Sequence, residues 1–369
     1  MKKFTYLLAV AAVFTACNSG NNGYTVTGTV EGAADGDTVY LETVEGRQFV
    51  KLDSAVIKDG TFTFKGTQDT AVNRYISYKA EGKDGAAIDF FLENGKIKIN
   101  LSQENNSATG TANNDAYQEI RAQINGLNKQ MMSIYESMSD TTLTDEQREA
   151  KGKEMENLEN SMISAIKAGI NKNITNPVGV LLLKQNYYYM DVADLDPLMP
   201  QIPAAYDNDE AIVKIKNNVE KMKATAVGQK FTDFEMQTPE GKTVKLSDYV
   251  GKGKVVLVDF WASWCGPCQM EMPDFNEKYQ ELGEEVQFLM INMTDGSRET
   301  VEKASAFIEE QGYGFPVFYD TKFHAANAYG ANSLPTTFFI DAQGKVTAQA
   351  KGAIDGETLQ RGIDMITEK

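Results

Sequence analysis

The chain has 369 residues, 42% of them hydrophobic and 24% charged, with a formal net charge of −16. At about 100 to 200 residues per domain, this length predicts two or three domains, each able to bury a core. The negative balance disfavours nucleic acid and anionic membrane surfaces as partners, and after residue 16 no apolar run approaches the roughly 20 residues needed to cross a bilayer.

Residues 1–16 have the pattern of a secretory signal: Lys2 and Lys3, the apolar run Phe4 to Phe14, then Thr15-Ala16 before Cys17. Phe14-Thr15-Ala16-Cys17 resembles a bacterial lipobox, with Phe14 where Leu is usual. That resemblance implies cleavage before Cys17 and acylation of its thiol, which would anchor the protein to a membrane. The other reading, a plain signal peptide that leaves a free thiol, makes Cys17 a liability in a secreted chain. Residues 17–23 read as a short polar tether. The N-terminus is similar to lipoproteins of the Bacteroidota type, in which surface export goes with an acidic run after the cysteine. None follows Cys17, so the expected location is the periplasm, on a membrane leaflet.

Residues 24–110 alternate apolar and polar positions and break at Gly and Asp, in YTVTGTV, DTVYLETV, SAVIKDGTFTFKG, RYISYKA and IDFFLENGKIKINL. These are strand signals, with Asp59-Gly60 and Asn94-Gly95 as turns of the tight-hairpin kind, and they predict an antiparallel β sandwich. The segment resembles the uncharacterised β domain that precedes thioredoxin-like modules in many Bacteroidota lipoproteins, which assigns it no chemistry.

The period then changes to that of helices over residues 111–225. Ile120, Ile124, Leu127, Met131, Ile134 and Met138 form one stripe, and Met155, Leu158, Met162, Ile166 and Ile170 form another. Thr144 to Gln147 reads as a capping box and Asn176-Pro177 as the start of a third helix. The methionines could offer a pliable binding surface, but their spacing favours core; Tyr187 to Tyr189 are likewise read as packing rather than a recognition patch.

From residue 226 to 369 strands alternate with helices, which predicts a mixed sheet with helices on both faces. The first central strand, VVLVDF, runs into WASWCGPCQMEMP. Two cysteines separated by two residues at a helix start can close a small disulfide. Cys265 would sit at the helix N-terminus, where free N–H groups and the macrodipole favour its thiolate. Cys268, one turn in, is more shielded. Cys265 is therefore the expected nucleophile toward a partner's disulfide, and Cys268 the thiol that resolves the mixed disulfide. Gly266 and Pro267 form the loop between the sulfurs, and Pro267 stiffens it without losing a helical bond. Pro273 is expected to kink the helix farther along.

VDFWASWCGPC closely resembles thioredoxin, and GQKFTDFEM, CQMEMP and a long insert between strands resemble the TlpA/ResA branch of periplasmic thiol-disulfide oxidoreductases. The resemblance covers residues 227–369 and implies an α/β thioredoxin-like fold with a redox disulfide between Cys265 and Cys268. It makes Asp259 the buried acid that relays a proton to or from the resolving thiol. It makes Leu334-Pro335 of SLPTTFFID the cis-proline turn against the cysteines, with Leu334, Pro335 and Thr336 facing an extended substrate peptide. Trp261 and Trp264 would wall the site, Trp264 being the more exposed. Two departures stand out. No lysine occupies the neighbouring strand Phe288 to Met293, and the glutamate used by TlpA/ResA proteins has no assigned counterpart. Glu271 matches a recurrent family position but also fits a solvated helix face.

Competing chemistries fit poorly. A zinc site needs four ligands, and beside the two cysteines there is one histidine, His324, read as a surface residue. A peroxiredoxin-like peroxidase would carry proline and threonine ahead of a single reactive cysteine, where this chain has FWASW. No metal and no cofactor is expected. The reading is a membrane-anchored enzyme that reduces disulfides in periplasmic proteins, apocytochrome c among the candidates by family analogy, and that draws electrons from a membrane electron-relay protein. The non-enzymatic alternative makes the first 225 residues an envelope-binding scaffold with an accessory redox module.

Overall fold

The computed structural model describes residues 23–46, 48–79, 85–102, 105–331 and 333–367. The expected signal segment, Cys17 and all of the tether but Gly23 lie outside them. The chain divides into two compact units, with the boundary after Gly179. It falls inside the expected helical region 111–225, not at either end.

The first unit begins with eight strands: β1 (Tyr24–Val30), β2 (Thr38–Glu45), β3 (Gln48–Val56), β4 (Thr61–Gly66), β5 (Val72–Tyr78), β6 (Ala86–Leu92), β7 (Gly95–Leu101) and β8 (Ser107–Thr109). They form two four-stranded sheets, β4-β1-β7-β8 and β3-β2-β5-β6. Alternate residues meet between them, Val26, Phe62, Phe64, Ile97 and Ile99 against Val39, Leu41, Ile76, Ile88 and Phe90. The sandwich is not wholly antiparallel, because β1 runs parallel to β7, from Tyr24 beside Gly95 to Val30 beside Leu101. The cause is the step after β6. Asn94-Gly95 makes no tight hairpin but carries the chain from one sheet to the other, while the Asn94 amide bonds both backbone groups of Gln68. Asp59-Gly60 does turn tightly, with φ of 49° and 69° and both backbone bonds between Lys58 and Thr61 in place.

Helices α1 (Ala112–Met138) and α2 (Asp145–Asn173) follow as a hairpin. Thr144 and Gln147 form the expected capping box at the start of α2. Met131, Met138, Met155 and Met162 are half-buried on the stripe along which the helices pack. Helix α1 closes the edge of β6: the Asn114 side chain accepts from the Phe91 N–H at 2.9 Å and donates to the Phe91 carbonyl at 2.7 Å, as a neighbouring strand would.

Helix α3 (Pro177–Asn186), capped by Asn176, leads into the second unit. There α4 (Val192–Leu195) and α5 (Glu210–Ala224) precede the sheet. The rings of Tyr188 and Tyr189 meet at 4.2 Å, tilted by 45°, and are exposed, against the packing role expected of them, because a single tight helical turn leaves them outside the core. Helix α5 buries Ile212, Ile215, Val219 and Met222 at helical spacing, and its Lys221 reaches Asn327 at 3.2 Å. These contacts explain why residues 180–225 group with the C-terminal sheet.

That sheet contains β9 (Glu235–Gln237), β10 (Thr243–Lys245), β11 (Val255–Trp261), β12 (Val286–Asn292), β13 (Val317–Tyr319), β14 (Thr336–Ile340) and β15 (Val346–Lys351), in the order β10-β9-β13-β12-β11-β14-β15. Strands β11, β12 and β13 are parallel and their outer neighbours antiparallel. Helices α6 (Gly266–Leu282), α7 (Val301–Gln311), α8 (His324–Tyr329) and α9 (Gly356–Thr367) complete the unit. Helix α6 runs on through Pro273. Every residue of β11 is buried, and their alternation feeds two cores. Leu257 and Trp261 join Cys268, Phe275 and Ile363 on one face; Val256, Val258 and Phe260 join Phe234 and Tyr329 on the other. Among the described residues no helix is long and apolar enough to cross a membrane.

Gly362 on α9 tests how tightly the first of these faces is packed. A methyl added there would run into the buried Phe339 ring. Although alanine favours a helix by about 1 kcal/mol, Gly362→Ala is expected to destabilise by about 1–3 kcal/mol through overpacking. A lower urea midpoint with an unchanged slope would register it.

Candidate active site

Strand β11 ends at Trp261, and a three-residue turn delivers Cys265 as the cap of α6. The cap arises because Pro267 cannot donate a backbone bond and the next free donor, the Cys268 N–H, points at the Cys265 sulfur at 3.2 Å. The two cysteines are joined by a disulfide, with S–S 2.02 Å. Cys268 is fully buried and Cys265 is 4% exposed. Cys265 lines an open cleft of about 520 Å³, together with Trp264, Pro267, Arg298, Phe323 and Leu334. The expected pair thus forms, and Cys265 is the sulfur that faces outward.

Asp259 lies on the same face of β11 as Leu257 and Trp261, toward α6. It is completely buried; its Oδ1 accepts from the Thr337 hydroxyl at 3.0 Å, and its Oδ2 has no partner. Burial pushes its carboxyl well above the ordinary range, the Thr337 bond opposing. Glu271 is also buried, at 2% exposure, so the solvated-face reading fails. Its position explains this: Cys268, Glu271, Met272 and Phe275 form the inward stripe of α6. The Oε2 of Glu271 accepts from the Ile354 N–H at 3.0 Å, and Oε1 has no partner. Burial first, and the negative charge of Asp259 second, raise the Glu271 carboxyl as well, against the Ile354 bond. The site therefore holds two mutually sensitive acids that favour their protonated forms. The spacing of three residues from a shielded cysteine, with apolar residues on the same stripe, was the sequence signal for Glu271.

Leu334-Pro335 is cis, and Ser333 and Leu334 face the cleft. Thr336, expected at the substrate face, instead sits in the ladder opposite Phe260, 3% exposed, with its hydroxyl on the Ser333 carbonyl at 2.8 Å. Trp261 does not wall the cleft; it is fully buried beside Phe307, because it continues the alternation of β11. Trp264, in the turn beyond, is 41% exposed. His324 is a surface residue 4.0 Å from Glu235.

Sequence reasoning missed Glu299. It is fully buried, and its carboxylate accepts from the Ser263 N–H at 2.8 Å, the Ser263 hydroxyl at 2.6 Å and the Asn292 amide at 2.6 Å. One side chain thus ties the turn that precedes Cys265 to the end of β12. Only its polar surroundings, DGSRET after a strand, are visible in the sequence, and they read as an exposed loop.

Two outcomes are expected. A folded state that retains carboxyl protons the unfolded chain releases above about pH 4 loses stability as pH rises toward the raised values. Asp259→Asn keeps an acceptor for Thr337 and removes part of this loss, so its stability relative to wild type should rise from pH 4 to pH 8, by about 1.4 kcal/mol per unit of upward shift removed. Denaturant titrations at both pH values read this directly. Glu299→Gln leaves a buried donor at Ser263 or Asn292 without its acceptor, and should cost about 1–3 kcal/mol and slow thiol exchange at Cys265.

Two family models match the chain. Residues 227–349 match the AhpC/TSA family, and residues 24–117 match a domain of unknown function, DUF4369. The thiol-disulfide oxidoreductase ResA of Geobacillus thermodenitrificans is 40% identical over 146 residues, 39% of this chain and 79% of that protein. ResA of Bacillus anthracis is 37% identical over 144 residues, 38% of this chain and 79% of that protein. Among solved structures, a putative thiol:disulfide interchange protein DsbE from Chlorobium tepidum is 35% identical, covering 37% of this chain and 95% of its own, with a TM-score of 0.34. With its two cysteines disulfide-bonded at the head of a helix and this kinship over most of the ResA length, the chain belongs to the ResA-like thiol-disulfide oxidoreductases of thioredoxin fold.

Proposed function

We propose that this enzyme reduces disulfides in other proteins outside the cytoplasm, held at a membrane by an acylated Cys17. The observation that carries the reading is the unequal burial of the two sulfurs, Cys265 on an open cleft and Cys268 sealed beneath it, with Asp259 and Glu271 buried on the same side of the sheet. The location rests on the secretory pattern of residues 1–16 and on Cys17. The reducing direction rests on the Gly266-Pro267 pair, which is similar to that of reducing thioredoxins.

In the dithiol form, the N-terminal turn of α6 stabilises the Cys265 thiolate. That thiolate attacks one sulfur of the substrate disulfide. The S–S bond breaks, a mixed disulfide forms, and the departing substrate thiolate takes a proton from solvent. Cys268 then gives its proton to the carboxyl pair, of which one member must be ionised, and its thiolate attacks the Cys265 sulfur. The second substrate thiolate leaves and is protonated. Two electrons and two protons have passed to the substrate, and the enzyme carries the Cys265–Cys268 disulfide seen here. A dithiol protein, by this reading a membrane electron relay, must return two electrons for the next cycle.

The carboxyl pair suits the second step for a physical reason. A buried acid with a raised pKa accepts a proton from a thiol at less disadvantage than an ordinary carboxylate, because proton affinity of base and thiol are closer. The cleft beside Leu334 offers an extended substrate segment a place next to Cys265.

Covalent trapping in intact cells tests this. Cys268→Ala should accumulate mixed disulfides through Cys265 that a reductant releases, and Cys265→Ala/Cys268→Ala should not. Exported, folded Cys268→Ala protein with no adduct above the double variant would remove the protein-substrate reading.

A further inference from the structure

The loop that follows β12, Asp295 to Thr300, engages its two carboxylates in hydrogen bonds. The Asp295 carboxylate accepts from the N–H groups of Ser297 at 2.8 Å and Glu299 at 2.9 Å, and from the Ser297 hydroxyl at 3.2 Å. These bonds hold its carboxyl below the usual range. Glu299 turns inward onto Ser263 and Asn292. Glu299 is thereby turned away from the cleft, whereas Asp295, its carboxylate bonded within the loop, lines the cleft together with Arg298.

The guanidinium of Arg298 lies 3.8 Å over the Trp264 ring, one residue from Cys265. Among the described residues no carboxylate lies within 4.0 Å of it in an ion pair. A guanidinium held over an aromatic ring can still offer its planar N–H groups, which take a carboxylate bidentately. Stacking also restricts the side chain beforehand, so less conformational freedom is lost when a ligand binds. The cation is conspicuous in a chain whose net charge is −16, which otherwise repels acidic segments.

Phe323 also lines this cleft. It is 42% exposed and has φ 55°, a left-handed conformation unfavourable for a bulky residue. The strain is held by the bonds that start α8: the Asp320 carboxylate accepts from the N–H groups of His324 and Ala325, and the Phe323 carbonyl accepts from the Asn327 N–H. An exposed aromatic fixed at this cost beside a reactive sulfur provides an apolar surface next to the cation.

We propose that Arg298, on its Trp264 platform, is a specificity-determining residue that selects disulfides whose cysteine has an acidic neighbour, the substrate carboxylate pairing with the guanidinium while adjoining apolar atoms lie against Phe323. This deepens the protein-reductase reading and rests on it.

The test uses the full chain, reduced beforehand, and peptide disulfides that differ only in carrying Glu, Gln or Lys beside the cysteine. Second-order rates are compared within each enzyme variant, so that the Glu-to-Lys ratio is unaffected by a general change in activity. For wild type the ratio should be about tenfold, equivalent to about 1.4 kcal/mol, and should shrink in high salt. Arg298→Gln should bring it near one, Arg298→Glu should invert it, and Arg298→Lys should keep its sign at reduced size. A ratio near one for wild type, or one that survives in Arg298→Gln, overturns the proposal. Wild-type protein that reduces the neutral disulfide 4,4′-dithiodipyridine but none of the peptides would instead overturn the protein-substrate reading, and the subsite with it.

Discussion

A strand buried on both faces allows its side chains only two destinations, and β11 depends on this constraint. Val256, Val258 and Phe260 go to one core; Leu257 and Trp261 go to the other. Asp259 has the parity of the second set, so a carboxyl group is carried into the apolar layer under α6. A shift of one residue would send it to the opposite core, away from the cysteines. The strand's length matters equally, because its end at Trp261 sets where the turn begins and which residue caps the helix.

Helix α6 answers with a period of its own. Cys268, Glu271, Met272 and Phe275 recur on the face turned to the sheet, so a second carboxyl enters the layer that already holds Asp259. Two acids in such surroundings are unfavourable when ionised, and each discourages the other. An apolar pair would pack there at less cost. In the proposed mechanism the acids add a place to leave a proton beside the buried thiol of Cys268. The same argument explains why Thr337 and the Ile354 N–H bond one oxygen of each acid and leave the other free. Full satisfaction would favour the charged forms and weaken the hold on the proton.

Features that follow from local periodicity were legible in the sequence. The cysteine pair at a helix start, the capping box at Thr144, the Asn176 cap and the strands of both units depend on residues within one turn or one hairpin. Features that depend on a distant partner were not. Asn94-Gly95 has the composition of a hairpin turn, but β7 pairs with β1, far back in the chain, and with β8, not with the β6 that precedes it. Trp261 resembles a wall of the site until the parity of β11 is applied. Glu271 is charged, and a charged residue on a helix ordinarily faces water, so its burial required knowing that its stripe is the inward one. Glu299 lies in a segment rich in polar residues, and its role is created by Ser263 and Asn292 arriving beside it. The division after Gly179 was hidden for the same reason, since it reflects what α5 packs against and not what α5 is made of.

The unequal exposure of the sulfurs also constrains the catalytic cycle. In the oxidised protein only Cys265 reaches the cleft, while Cys268 has no exposed surface. A reducing thiolate must therefore attack Cys265, and Cys268 must leave. In the proposed direction, the substrate disulfide is likewise attacked by Cys265, and Cys268 closes the reaction. Both half-reactions pass through a mixed disulfide on the same sulfur, so substrate and reductant occupy the cleft in turn and cannot occupy it together. Departure of Cys268 as a thiol takes up a proton, and in the proposed cycle its later attack returns one. In the proposed cycle the raised carboxyl pair serves the two halves with opposite proton movements, which a permanently ionised acid could not do.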